Sequence, residues 1–112
     1  LAGEDAQFEL ARPGVAAEEL FHRAIEVVEQ TGGPNPYRRQ HCGHGIGLEV
    51  HEAPIVRPDS PTPLEPGMTF CFETPYYELG WGGMMFEDTL VVTDDGVRLL
   101  TDRARGLTVI PV

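Results

Sequence analysis

One stretch, Gly43 to Pro54, places two histidines and two acidic residues among three glycines. Each glycine inside a helix costs about 1 kcal/mol relative to alanine, so a helix is disfavoured here. The pattern predicts a single strand bent by its glycines. Residues seven apart on a straight strand point to opposite faces. His44 and His51 can therefore share a site only if Gly45 or Gly47 breaks the pleat.

Two helices are predicted before this stretch. Glu4 to Ala11 is the end of a helix that Pro13 and Gly14 stop. Val15 to Gln30 carries apolar residues at spacings of three and four, which is typical of a helix with one buried face. A polar and basic connector, Asn35 to Gln40, then leads to the glycine-rich stretch.

Strands are predicted for most of the second half. Met68 to Thr74 and Met85 to Thr93 are rich in aromatic and β-branched residues, and the glycine-rich residues 79–83 between them form a turn. Asp94 to Gly96 favours a hairpin turn into a third strand, Val97 to Leu100. Helices followed by antiparallel strands indicate an α+β fold.

Composition narrows the possible partners. The 112 residues include eight basic and eighteen acidic side chains, for a formal charge of −10. A sequence-independent nucleic-acid binder needs a basic surface, so that class is disfavoured. The acidic balance suits divalent cations, or serves only solubility.

The sequence also indicates the cellular compartment and whether the chain is a fragment. Two cysteines without a disulfide pattern predict reduced thiols in a cytoplasmic protein. No apolar run approaches the roughly 18 residues that span a bilayer, so no membrane association is expected. Because the chain begins at Leu1 and not at a methionine, we expect a fragment or a processed form.

Two glutamates lie inside otherwise apolar predicted strands, where a carboxylate is unfavourable unless it is paired or metal-bound. The midpoint between Glu73 and Glu87 is Gly80, in the middle of the predicted turn. A hairpin centred there places their Cβ atoms about 5 Å apart. Facing carboxylates repel, so the pair needs a shared proton or a cation. Nearby imidazoles favour Mn, Co, Zn or Fe, although spacing alone leaves both options open.

Each candidate also has a purely structural interpretation. His44 could be a hydrogen-bonded turn histidine, and His51 a strand histidine that faces solvent. Asp88 points away from the face of Glu87 and could pair with an arginine. No charged partner is placed beside Cys42 by the sequence, so we do not assign it as a nucleophile.

An ordered set of motifs resembles the pita-bread metallopeptidases, which include Xaa-Pro aminopeptidases, prolidases and methionine aminopeptidases. The resemblance covers essentially the whole chain and implies half of a pita-bread (creatinase/aminopeptidase-like) fold, with helices packed on a curved antiparallel sheet. The spacing from His44 to Glu73 and Glu87 is more similar to prolidase and Xaa-Pro members. The matching segments are Ala11 to Val15, Gly43 to Pro54, Leu64 to Met68 leading to Glu73, and Glu87 to Thr89 ahead of Asp94 to Gly96.

The resemblance implies a role for each candidate residue. His44 would bind metal, Glu73 would bind metal and shuttle the proton of the attacking water, and Glu87 would bridge two ions. His51 would hydrogen-bond the substrate and stabilise the tetrahedral intermediate, and His41 would line the pocket. The implied cofactors are two divalent ions of Mn, Co, Zn or Fe. The implied reaction is hydrolysis of a peptide bond near the N-terminus, of Xaa-Pro type.

Two departures from the family pattern change these expectations. The family completes its dimetal site with two upstream aspartates, and Asp5 is too near the start to be one of them. We therefore expect residues 1–112 to be the C-terminal half, with negligible activity and weak or absent dimetal binding when alone, and to form a homodimer through exposed sheet. Prolidase-like members also carry an arginine where Ile55 stands. Arg57, two residues on, is the remaining candidate for substrate binding, so strict dipeptide specificity is open.

Two alternatives from other classes remain. The fold also hosts metal-free, creatinase-like hydrolases of small amides and some lyases, and the intact Glu73 and Glu87 weigh against the metal-free branch. A non-catalytic interaction module would lack ligands, whereas all three expected in this chain are present. Fold likeness by itself does not decide between substrates.

Overall fold

Helices on one face of an antiparallel sheet make up the computed structural model, which describes residues 1–34 and 36–111. The helices are α1 (Ala2–Leu10) and α2 (Ala17–Gln30). The strands of the described residues are β1 (Gly43–Gly45), β2 (Glu52–Ile55), β3 (Thr69–Glu73), β4 (Tyr76–Glu78), β5 (Gly82–Met84), β6 (Glu87–Val92) and β7 (Val97–Leu99). The α+β class predicted from the sequence is confirmed.

Helix α2 begins two residues later than predicted. Ala16 has an extended backbone and pairs with Pro63 as an isolated bridge, which keeps the helix from starting at Val15. The side chain of Glu19 accepts a hydrogen bond from the backbone N–H of Ala16 at 2.9 Å and satisfies one donor at the helix start. The apolar stripe packs inward as predicted, and Leu20 is completely buried.

Five strands form the main sheet in the order β2-β1-β3-β6-β7, and each neighbouring pair is antiparallel. In the β3–β6 pair Glu73 lies directly opposite Glu87, so the predicted facing pair is confirmed. The hairpin continues beyond the main sheet as β4 and β5, which pair around Gly80. Gly80 has a φ of 81°, a conformation that glycine adopts without steric cost. The predicted turn at residues 79–83 is therefore shorter, because β5 already begins at Gly82.

The glycine-rich stretch is two strands and not one bent strand, so that part of the prediction is wrong. β1 and β2 pair with each other, and the register shifts between His44 and Gly45. The predicted break in the pleat is therefore present. A Cβ on Gly45 would lie 2.9 Å from the carbonyl oxygens of Glu52 and Ala53, so this close approach requires glycine.

Strand β3 separates two environments by alternation of its side chains. Phe70 and Phe72 are completely buried in the core between the sheet and the helices. Cys71 and Glu73 point to the other face of the sheet. Leu90 and Val92 on β6 extend the same core.

The connector to the site contains no regular element among its described residues, Pro36 to Gln40. Asn35, its first predicted residue, lies outside the described residues. Within the described ranges, no helix is long and apolar enough to cross a membrane.

A buried ion-pair cluster ties the C-terminal segment to the rest of the domain. Arg105 donates from Nε to Asp88 at 2.6 Å and from Nη2 to Glu4 at 2.9 Å, and it also contacts Asp5. The side chains of Asp88 and Glu4 are 1% and 0% exposed. Burial, reinforced by the charge of Asp88, raises the pKa of Glu4 in spite of the arginine. The prediction that Asp88 pairs with an arginine is confirmed.

We expect Arg105→Ala to lower the free energy of unfolding by about 3 kcal/mol, because it leaves buried Glu4 without an arginine and buried Asp88 with only the more distant Arg103. Urea denaturation of the chain measures this. Arg103→Ala is the matched control, since Arg103 is 56% exposed and lies 3.8 Å from Asp88. It should cost less than about 1 kcal/mol. Equal losses for the two variants would contradict the importance of the buried cluster.

Candidate metal and catalytic site

Three adjacent strands bring the polar residues of the site together on one face. β1 places His44 opposite Cys71 of β3, and β6 places Thr89 opposite Cys71 from the other side. Directly paired residues of antiparallel strands share a face, as do residues two apart on one strand. Glu73 therefore lies on the same face, opposite Glu87.

Three of these side chains have the spacing of a metal site. One donor atom from each of His44, Cys71 and Glu87 lies within 4.8 Å of the others. The sequence prediction included His44 and Glu87 but missed Cys71. Its position two residues before Glu73 was a usable signal, because that spacing puts both side chains on one face of a strand.

His44 is oriented as a ligand by the backbone. It is 3% exposed, and its Nδ1 donates a hydrogen bond to the carbonyl of Gly45 at 3.0 Å. Since a carbonyl only accepts, the proton of the neutral ring is on Nδ1 and the lone pair is on Nε2. A backbone carbonyl commonly fixes metal-binding histidines in this way.

The three histidines form one cluster. The ring centroids of His44 and His51 are 4.0 Å apart, with an angle of 34° between the planes. His41 lies 6.1 Å from His44 and 6.2 Å from His51 by ring centroids. The condition set by the sequence, a broken pleat that lets His44 and His51 share a site, is met.

Glu73 lies beside His41 and is not one of the three donors, from His44, Cys71 and Glu87, that lie within 4.8 Å of one another. The Glu73 side chain is 9% exposed, and its Oε1 lies 3.1 Å from Nδ1 of His41, without hydrogen-bond geometry. Burial lowers the pKa of His41, and the charge of Glu73 only partly opposes this. His41 is therefore mostly neutral at pH 7.

Arg57 lies outside the cluster. It is exposed, and its Nε is 3.1 Å from Oδ1 of Asp59. Ile55, in contrast, pairs directly with His44 in the β1–β2 register. The substrate-binding role of Arg57 stays a prediction, whereas position 55 is next to a site residue.

Cys42 and Cys71 are free thiols, as predicted. Cys42 is completely buried among core residues, and burial raises its pKa to about 12. Cys42 is therefore unsuited to act as a nucleophile, since the thiolate is the reactive form. Burial also raises the pKa of Cys71, and a contact with the Thr89 hydroxyl at 3.6 Å partly offsets that rise.

The model of metallopeptidase family M24 matches residues 1–94. The chain belongs to this family. It is 38% identical to the Xaa-Pro dipeptidase of Lactobacillus helveticus over 109 residues, which are 97% of this chain and 29% of that protein. The M24 membership confirms the resemblance seen in the sequence motifs.

Solved structures place this M24 chain within the pita-bread fold. The dipeptidase PepE from Mycobacterium ulcerans superposes with a TM-score of 0.91 at 36% identity, covering 99% of this chain and 30% of that one. The prolidase from Pyrococcus furiosus gives a TM-score of 0.83 at 34% identity, covering 92% and 30%. The chain thus spans less than a third of the length of these relatives and corresponds to a half-domain of the fold.

M24 membership implies divalent metal, and the residues present fit such ions. Glu73 and Glu87 face each other with no arginine paired to either among the described residues. His44 offers an imidazole lone pair next to them. Carboxylate oxygens and imidazole nitrogens are the donors that Mn, Co, Zn and Fe accept.

We expect His41 of this M24 chain to titrate below its ordinary pKa of 6.5 when metal is removed with a chelator. Glu73→Gln should lower that pKa further, because it removes the negative charge that favours the protonated ring. NMR titration of the imidazole signals measures both values. Glu87→Gln is the matched control and should shift the His41 pKa less. A rise in the His41 pKa on removal of the Glu73 charge would contradict this assignment.

Proposed function

We propose that the protein containing this chain hydrolyses a peptide bond near the N-terminus of its substrate, of Xaa-Pro type, with two divalent metal ions. The observation that carries the proposal is the facing pair Glu73 and Glu87 beside the lone pair of His44. The named relatives, an Xaa-Pro dipeptidase and a prolidase, support the same reaction class.

Each residue has a distinct task in this proposal. His44 would hold metal through Nε2, and Glu87 would bridge the two ions, with Glu73 as a further ligand. When bound, divalent ions supply a water nucleophile at neutral pH and polarise the peptide carbonyl. The carboxylate of Glu73 would accept the proton of the attacking water and pass it to the leaving amine.

The histidines around these carboxylates would position the substrate. His51 would donate a hydrogen bond to the peptide carbonyl oxygen and stabilise the negative charge that develops there. His41, close to Oε1 of Glu73, would line the pocket and keep that carboxylate in place. Because the pKa of His41 is lowered, it would do so as a neutral ring.

We further propose that residues 1–112 are the C-terminal part of a catalytic domain whose two aspartate ligands lie elsewhere in the protein. The chain covers 29% of the Lactobacillus helveticus relative, which supports this division. The chain alone is then expected to have negligible activity. The choice of manganese, a cytoplasmic location and a homodimer stay predictions.

A second candidate is an aminopeptidase or another amide hydrolase without strict dipeptide specificity. The specific observation is Ile55, an apolar residue paired with His44, while Arg57 is paired with Asp59. Neither position offers a free cation to the carboxylate of a dipeptide. A metal-free, creatinase-like reaction is less favoured, because it leaves the facing glutamates without a counter-charge.

We expect His44→Ala and Glu87→Gln in the intact protein to lower kcat/KM on Xaa-Pro peptides by at least about 100-fold, since even outer-shell changes cost 10–100-fold. Hydrolysis assays with added Mn²⁺, together with calorimetric metal titration, measure the loss. Glu65→Gln, at an exposed loop position, is the matched control and should retain activity. Unchanged activity of both site variants would overturn the proposed function.

We expect Ile55→Arg to lower the KM for Xaa-Pro dipeptides about tenfold relative to longer peptides, because it adds a charge-assisted hydrogen bond to the substrate carboxylate. Steady-state kinetics on matched dipeptides and tripeptides test this. Arg57→Ala, assayed alongside, should leave both KM values within about twofold. A selective rise in the dipeptide KM of Arg57→Ala would instead assign carboxylate binding to Arg57.

A further inference from the structure

Cys71 offers a sulfur donor atom to the site, and the family resemblance gives this residue no role. We propose that Cys71 is a metal ligand and that, together with His44 and Glu87, it forms a site for a thiophilic divalent cation such as Zn²⁺ or Cd²⁺. The inference deepens the proposed function, because it uses two of the same ligands. The ligand set differs from that of the proposed function in two ways: it includes the sulfur of Cys71, and it does not include Glu73.

The strand register brings the three donors together. His44 and Glu87 lie on strands that flank β3, so both side chains approach Cys71 from its two sides. Their donor atoms lie within 4.8 Å of one another. Donors on one tetrahedral zinc ion lie roughly 3.5 Å apart, given bond lengths of about 2.0–2.3 Å. Small side-chain rotations therefore suffice to bring all three onto one ion.

The burial of His44 and Cys71 also points to a ligand at this place. His44 is 3% exposed, yet its Nε2 makes no hydrogen bond with any described residue. The Sγ atom of Cys71, itself 3% exposed, lies 3.6 Å from the hydroxyl of Thr89 and also contacts the carboxylate of Glu87. Glu87, at the exposed end of β6, forms no salt bridge with an arginine among the described residues. A cation would satisfy all three groups.

The sulfur donor determines which cation is preferred. Thiolate ligands select soft ions such as zinc and cadmium, whereas carboxylate-rich sites also accept manganese and magnesium. On binding, the thiol releases its proton to solvent and its sulfur forms the metal bond, so no oxidant is needed. Glu73 lies beside His41 and is not one of the three donors. The group therefore offers one nitrogen, one sulfur and one carboxylate oxygen.

Cobalt titration of the intact protein tests the proposal, because Co²⁺ reports its ligands by absorption. We expect a near-ultraviolet band of thiolate-to-cobalt charge transfer that Zn²⁺ then abolishes by displacement. Cys71→Ser should lose the band and weaken Zn²⁺ binding at least about tenfold, with Mn²⁺ binding less affected. Cys42→Ala is the matched control and should keep the band, since Cys42 is buried in the core.

X-ray absorption of the zinc-loaded, unsubstituted protein gives a measurement that does not depend on a variant folding. A sulfur scatterer at about 2.3 Å is expected. Cobalt binding without the charge-transfer band, a band that persists in Cys71→Ser, or a zinc shell without sulfur would overturn the proposal. If the protein shows peptidase activity but no charge-transfer band, the assignment of Cys71 as a ligand is refuted and the proposed function stands. The band in a protein without peptidase activity would refute the proposed function and leave the thiolate site standing.

Discussion

The register of β3 against β6 is the constraint on which the rest of the structure depends. In this register Glu73 meets Glu87, while Phe72 meets Asp88 on the opposite face. A slip by one residue would turn every side chain of the strand to the other face, exposing the phenylalanines and burying the glutamates against the helices. Burial of Phe70 and Phe72 therefore fixes the site as firmly as it fixes the core.

Acidic residues on the two faces of the sheet have different charge partners. On the helix side, Asp88 and Glu4 are buried, and Arg105 neutralises them at hydrogen-bond distance. On the other side, Glu73 and Glu87 have no arginine partner among the described residues. His41, whose pKa is lowered, lies beside Glu73, and His44 and Cys71 lie beside Glu87. Glu87 is exposed, but Glu73 is buried, and a buried carboxylate is unfavourable without compensation. The cluster of Asp88 and Glu4 contains its own cation, Arg105, and is structural. The pair of Glu73 and Glu87 has no such cation and is suited to binding metal.

Much of this arrangement could be predicted from local signals. The midpoint of Glu73 and Glu87 at Gly80 gave the hairpin and its register, because side chains alternate along strands and pair across a symmetric turn. The apolar stripe of α2 was equally clear. The pairing of β1 with β2 was not, because glycines permit a single bent strand or a reversal into two paired strands alike. Arg105 was missed because its contacts with Glu4 join opposite ends of the chain.

The sequence by itself determined the fold class, the family motifs, and which carboxylates and imidazoles could act together. These follow from periodicity, turn residues and the chemistry of donor atoms, which are local properties. Only the tertiary structure decided that His44 and His51 stack, that Glu73 faces His41, and that Cys71 completes a group with His44 and Glu87. The physical reason is that strand order places β1 beside β3, and no local pattern encodes which strands become neighbours.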